Sequence, residues 1–301
     1  MGLYYIGEVI KRTRESLGMT QEELAEGICT PETLSRIETG KRMPNRANFR
    51  ALMERMGKCG EKYLPHIHAG SYGMMEEWEK ILRLNQAHRY EEVLVELDEF
   101  EEKLDLDDRV NQQAVMRLRA LCNYYLGKSQ IQECRKMLVQ ALRITIVEWD
   151  GENFPERVFT RTECYLICNI AVSYMNEGKL ETALKLMQKM KNYFENTKMD
   201  ETEKRVSEGL LMSNLAQCLG KMGKTEDALT IEKEEIRKYI EHNLAGRLPG
   251  TLYNCAYQME IQHMSPEACK EKLIQAYYMA EFVGDFREMA HIKKHFNEKY
   301  K

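Results

Sequence analysis

The residues best placed to do chemistry in this sequence are suited to holding phosphate and amide groups rather than to making or breaking bonds. Between Arg36 and Arg50 stand five basic side chains, Arg36, Lys41, Arg42, Arg46 and Arg50, against one acid, Glu38. A cationic patch of that density attracts phosphate while the remaining surface stays indifferent to it. Further along, the triplets Asn169-Ile170-Ala171, Asn214-Leu215-Ala216 and Asn254-Cys255-Ala256 recur. An asparagine amide both donates and accepts, which matches the backbone of an extended peptide. The combinations that would imply catalysis are incomplete. Cys164 and Cys168 share one helical turn, and the pairs His66/His68 and His291/His295 have ligand-like spacing. A zinc site needs further donors, and none stands nearby in sequence. There is no glycine-rich phosphate loop, Ser/His/Asp set or Cys/His set in a fitting context. The chain is therefore expected to be no enzyme and to carry no metal and no cofactor.

The elements that position these residues follow from composition. A length of 301 residues suits two domains, or one domain and a repeat array. With 43% apolar and 31% charged residues the chain is a folded globular protein, and only 6 Pro and 18 Gly argue for helix throughout. The net charge of −4 excludes a histone-like positive coat. It is unevenly divided: residues 1–62 carry 11 basic and 9 acidic residues, a net of +2, and the remainder a net of −6. Nine scattered cysteines read as reduced thiols, most of them buried as small apolar residues. The start lacks a signal-peptide pattern, and no apolar run approaches the ~20 residues needed to cross a bilayer. A cytoplasmic protein without membrane contact is expected.

The first sixty residues read as five short helices. Ile6, Val9, Ile10 and Leu17 fall near helical spacing, and Gly18 stops them. Thr20 to Glu23 form a capping box that opens a second helix, with Leu24 and Ile28 on its apolar side. Thr30-Pro31 supplies an N-cap and a first-turn proline for a third helix, whose Leu34 and Ile37 face inward and which Gly40 ends. Phe49, Leu52, Met53 and Met56 mark a further amphipathic helix. Two short helices joined by about three residues, the second flanked by basic residues, is the helix-turn-helix layout.

The strings Gly18-Met19-Thr20-Gln21-Glu22-Glu23-Leu24-Ala25 and Leu34-Ser35-Arg36-Ile37-Glu38-Thr39-Gly40-Lys41-Arg42-Met43-Pro44 resemble the XRE (lambda-repressor-like) family over residues 6–57. The resemblance implies that Gln21 meets phosphate or a base edge. It implies that Glu32, Thr33 and Arg36, with Thr30 and Ser35 beside them, face the major groove. Arg36 has the fork that matches guanine O6 and N7. Lys41, Arg42 and Arg46 would clamp phosphates, positioning without specifying. Arg14 and Glu38 match a pair that forms an internal salt bridge in this family. Arg36, Arg42 and Arg46 also read as solvated surface charges. The segment between Leu24 and Leu34 is one residue shorter than in most XRE domains, with Gly27-Ile28-Cys29 at the turn, as in PlcR- and Rgg-type regulators.

After a linker over residues 63–73, helical periodicity continues to the end. The expected helices are 74–87, 90–104, 108–126, 129–146, 160–177, 180–195, 201–222, 225–242, 250–263, 266–283 and 286–299. They pair as hairpins with small residues twelve apart, Ala171 with Ala183, Ala216 with Ala228, Ala256 with Ala268. This resembles tetratricopeptide (TPR) repeats with lengthened helices. The expected fold is all-α, a lambda-repressor-like helix-turn-helix bundle over 1–62 followed by a TPR-like right-handed α-superhelix over 74–301. In such an array the first helix of each pair lines a groove, which places Asn169, Asn214 and Asn254 there. Arg117, Tyr165, Val172, Asn176, Gln217, Lys221, Tyr253 and Tyr257 share that predicted face. Asparagine capping a neighbouring helix is the plainer account of the triplets.

Head and array together resemble the Rgg/PlcR/PrgX peptide-responsive regulators, the RRNPP superfamily. That resemblance implies a homodimeric transcription factor on a two-fold double-stranded DNA operator, with a short signalling peptide in the array. The other reading keeps the DNA-binding head but gives the array a protein partner. The C-terminal helices, residues 266–299, are the expected dimer interface, and Tyr277, Phe282 and Phe286 are candidate contacts there, with core packing the favoured reading of those three.

Overall fold

The computed structural model describes residues 6–58, 72–104, 108–150, 154, 157–199 and 201–300, and every regular element among them is helical. Four helices occupy the described part of the first sixty residues: α1 (Ile6–Ser16), α2 (Gln21–Ala25), α3 (Pro31–Glu38) and α4 (Arg46–Arg55). The expected fifth would fall within residues 59–71, outside the described residues, as do His66, His68 and most of the expected linker. The capping box at Thr20 and Glu23 forms, and Thr30 caps α3 with Pro31 in its first turn. Ile10, Leu24, Ile28, Leu34, Phe49 and Leu52 are wholly buried in one core, which Val110 of a later helix joins.

The array follows as α5 (Tyr72–Gln86), α6 (Tyr90–Glu101), α7 (Arg109–Tyr125), α8 (Ile131–Arg143), α9 (Arg161–Asn176), α10 (Leu180–Asn196), α11 (Glu201–Lys221), α12 (Thr225–Glu241), α13 (Leu248–Ile261), α14 (Pro266–Val283) and α15 (Phe286–Tyr300). All eleven expected helices are present, with ends displaced by no more than three residues. α5 begins at Tyr72, so two residues expected in the linker are helical. Most turns carry one left-handed residue, at His88, Gly127, Gly178, Gly223, Asn243, His263 and Gly284. That residue reverses the chain and lets the next helix start within a few positions.

The small-residue pairing holds twice. Ala171 and Ala183 are buried, as are Ala216 and Ala228. In the third pair Cys269 is buried and Ala268 is not, a shift of one. The turn after His263 is one residue longer than those after Gly178 and Gly223, because Ser265 and Pro266 start α14 with their own cap.

Two compact units emerge. One comprises Met1–Glu177 with Tyr193–Ser207, the other Gly178–Asn192 with Glu208–Lys301. The second has its own core of Tyr239, Leu252, Ala256, Leu273, Ala276 and Ile292. Seven of the eight described cysteines are buried, Cys164 and Cys168 among them.

Candidate nucleic-acid interface and binding pocket

In α3 the residues Leu34, Ile37 and Glu38 are buried, so the helical period turns Glu32, Ser35, Arg36 and Thr39 to the opposite face. Glu32 and Arg36 are exposed, while Thr33 and Ser35 are half-buried at the margin. Thr30 serves the helix itself, its hydroxyl accepting from the Thr33 amide at 3.2 Å. The Glu32 carboxyl is held below its usual range by its own backbone N–H and the Thr30 hydroxyl. Immediately after α3 the backbone N–H groups of Lys41 and Arg42 both donate to the Arg36 carbonyl, at 2.8 and 3.0 Å. That turn brings three exposed cations, Arg36, Lys41 and Arg42, to one end of the helix. None of the three is ion-paired among the described residues.

Two expected contacts sit differently. Gln21 turns inward and donates to Glu38 at 2.7 Å. Arg46, in the first turn of α4, lies 3.5 Å from Glu79 of α5. Each of these side chains already has a protein partner, unlike the three exposed cations. Arg14 grips Glu38 through two parallel hydrogen bonds of 2.7 and 2.8 Å, the buried pair that the resemblance implied. Burial opposes the Glu38 charge, but bonds from Arg14 and Gln21 outweigh it and hold its pKa below the usual value.

Within the first unit, Arg117 donates to the Asn169 amide oxygen at 3.1 Å and lies 5.4 Å from the centre of the Tyr165 ring. Burial lowers the Arg117 pKa against the favourable field of Tyr165. Val172 is half-buried and Asn176 is exposed at the end of α9.

The second unit contains a cavity of about 530 Å³. Gln217, Tyr253 and Asn254 line it, as the expected face required, and so do Ser213, Arg247 and Thr251. The opposite wall is Asp285, just ahead of α15, with Glu288 and His291 of α15, none of them expected in a binding face, because only the fold brings the last helix back beside α13. The Tyr253 hydroxyl lies 2.8 Å from His295 Nδ1, and His295 Nε2 lies 3.0 Å from Glu260. This His pair therefore fastens α15 to α13. Asn214 does not line the cavity; its amide donates to the Leu210 carbonyl of its own helix at 2.9 Å. Lys221 is exposed at the end of α11, and Tyr257 is exposed with its ring edge-on to His295. The three repeated asparagines thus do not form a uniform ladder. Asn169 meets Arg117, Asn214 meets its own backbone, and Asn254 stands beside Glu232.

Sequence reasoning also missed the junction between head and array. The buried Glu163 accepts from the equally buried Arg55 of α4 at 3.1 Å and from the Thr145 hydroxyl at 2.7 Å. Its capping box with Thr160 at the start of α9 was the available signal. Its partner stands 108 positions away, and no spacing rule reaches so far.

These features define a class: a helix-turn-helix DNA-binding domain carried on a TPR-like array of helical hairpins. Residues 10–64 match the helix-turn-helix family. A search of curated protein sequences finds no match. Solved structures match along the whole chain. Bacillus thuringiensis PlcR in complex with the peptide PapR7 and DNA is 19% identical, with 99% of this chain and 100% of that chain covered and a TM-score of 0.64. The apo form of the same protein gives 18%, coverage of 98% and 99%, and 0.59. ComR from S. thermophilus, in complex with DNA and its signalling peptide ComS, gives 16%, coverage of 96% and 97%, and 0.52. The resemblance read from the sequence therefore holds at the level of the fold over nearly the entire chain.

Proposed function

We propose that this chain is a cytoplasmic transcription regulator that binds a two-fold operator as a homodimer and responds to a short signalling peptide held by its array. The observation that carries the reading is one chain with an open cationic α3 face and, in its second unit, a cavity lined by amides and aromatics. Arg36 is suited to a guanine edge, and Lys41 and Arg42 to flanking phosphates. The cavity falls within the ~300–1,000 Å³ range of small-ligand sites. Gln217 and Asn254 offer paired donors and acceptors there, and Tyr253 offers an aromatic wall. PlcR and ComR, whose fold this chain shares, were solved with DNA and a peptide. Among the described residues no helix is long and apolar enough to cross a membrane. Ile274, Tyr278 and Phe282 recur every four residues along α14, and with Phe286 they leave an exposed apolar stripe for a second copy.

Native mass spectrometry of the protein purified from its own host tests the peptide. A dimer carrying one extra mass of roughly 0.5–1.5 kDa per chain, sequenced as a peptide by fragmentation and lost in Gln217→Ala/Tyr253→Ala, is the expected outcome. A dimer with no added mass, even after incubation with concentrated spent medium, would shift the array to a protein partner and leave the DNA-binding reading intact.

A further inference from the structure

The head touches the array at several separate places, and all of them lie within the first compact unit. At one, the Asn45 amide donates to Asp108, the N-cap of α7, at 3.0 Å. At a second, Arg55 donates to the Glu26 carbonyl at 2.9 Å and to Glu163 at 3.1 Å, so one guanidinium joins the end of α2 to the start of α9. Arg157 adds to this, 3.2 Å from Glu26 and donating to the Thr145 carbonyl at 2.8 Å. The turn between α2 and α3 meets the array at this second place. Gly27 has a φ of +73°, and a Cβ on it would stand 2.4 Å from the Thr145 carbonyl oxygen. Backbone therefore rests on backbone. At a third place, a Cβ on Gly57 would stand 2.7 Å from the Lys198 carbonyl oxygen. Beside the second, the Arg161 amide donates to Glu54 at 2.7 Å.

Contacts spread over three places on two bodies remove rotation as well as translation. The central one is a charge pair with both side chains wholly buried. Buried pairs of this kind contribute little net stability over apolar residues of the same shape, yet losing one partner leaves an unpaired charge in the interior. The arrangement selects one orientation. The cations Arg36, Lys41 and Arg42 stay exposed in that orientation, so the junction holds the reading face and does not cover it.

We infer that Glu163, with Arg55, Thr145 and Gly27, is a positioning residue for operator spacing: without touching DNA, it fixes the head so that only one distance between half-sites is accepted. The inference rests on the two-fold operator reading above. One added base pair moves the second half-site by about 3.4 Å and turns it by about 35°. A head clamped by buried contacts cannot follow that step, and a head held only by its linker can.

Selection from random duplex pools tests this, with the intact protein, Glu163→Gln and Thr145→Val selected in parallel. The wild type should enrich two inverted half-sites at a single spacing, disfavouring a spacing one base pair longer or shorter by about tenfold or more. Both variants should enrich the same half-site sequence, bind an isolated half-site within about twofold of wild type, and accept neighbouring spacings within about threefold. The double variant Arg55→Met/Glu163→Leu, which removes both charges, should restore the narrow preference. Retention of the single spacing by Glu163→Gln and Thr145→Val, at unchanged discrimination, would overturn the inference. So would a wild type that accepts several spacings. Enrichment of a lone half-site by the wild type would instead remove the two-fold operator, and this inference with it. Thr145→Val, which deletes one hydroxyl, keeps the test open should Glu163→Gln fail to fold.

Discussion

At the scale of single residues, exposure separates the side chains proposed to read DNA from those that hold the fold. Arg36 and Arg14 are both arginines of the head, yet Arg14 is locked on Glu38 while Arg36 is exposed to solvent. Arg36→Ala is expected to weaken operator binding by about 1–3 kcal/mol and to relax preference at one base pair. Lys41→Ala should weaken all sequences alike and lower the slope of log K against log salt by about 0.9. Titrations at several salt concentrations distinguish the two; equal loss of base preference from both variants would contradict the assignment. A second residue-scale effect concerns stability. Glu232 is buried in α12, and burial, helped by the nearby Glu235 charge, raises its pKa from 4.5 to about 8. Below pH 4.5 the group is neutral in both folded and unfolded chains and costs nothing. Between pH 4.5 and about 8 the unfolded chain releases a proton that the folded chain retains, so stability falls as pH rises through that window. Glu232→Gln removes the loss. Its melting temperature should rise above that of wild type by several degrees at pH 8, with the gap closing toward pH 4.5. An equal gap at both ends would show that the carboxyl does not titrate this way.

At the scale of elements, helix ends carry much of the organisation. Thr160 and Glu163 start α9, and the same Glu163 carboxylate then receives Arg55, so one capping residue both opens a helix and fastens the head. The turn between α2 and α3 is the other half of that contact. Two glycines of the head share nearly the same left-handed φ, Gly27 against Thr145 and Gly40 with nothing within 4 Å of its would-be Cβ. Gly40→Ala should cost about 1–2 kcal/mol from backbone strain alone. Gly27→Ala adds a clash with a carbonyl oxygen and should cost about 1–3 kcal/mol more. Chemical denaturation of the two variants side by side isolates the docking contribution. Equal losses would mean that the turn does not bear on the array.

At the scale of the whole molecule, the two most exposed large apolar side chains among the described residues lie near the C-terminal end. Phe282 is 80% and Phe286 75% exposed, whereas Tyr277 packs against the core of the second unit. Of the three C-terminal aromatics read from the sequence, the two phenylalanines face outward and the tyrosine serves packing. An array end needs a cap or a partner, because a stack of hairpins otherwise leaves one face uncovered. Phe282→Glu/Phe286→Glu should convert a dimer into a monomer in sedimentation, with helical content kept and affinity for a two-fold operator reduced to that of a single half-site. A variant that sediments as the wild type does would move the interface elsewhere.

The helices, the helix-turn-helix and the hairpin repeat were legible from local sequence. Each rests on interactions within a few positions: the cap at Thr20, the Thr30-Pro31 start, the apolar period of α4, the small residues twelve apart. The Arg14–Glu38 pair, 24 positions apart, was legible only because a family resemblance supplied it. The contacts that close over long stretches of chain came only from the folded molecule. Glu163 and Arg55 meet across 108 positions, α15 folds back to wall the cavity beside Tyr253, and the three repeated asparagines take three different partners. Similar triplets on equivalent helices meet unlike neighbours, because each hairpin packs against a different surface, and a side chain's partner is set by that surface and not by its own spacing.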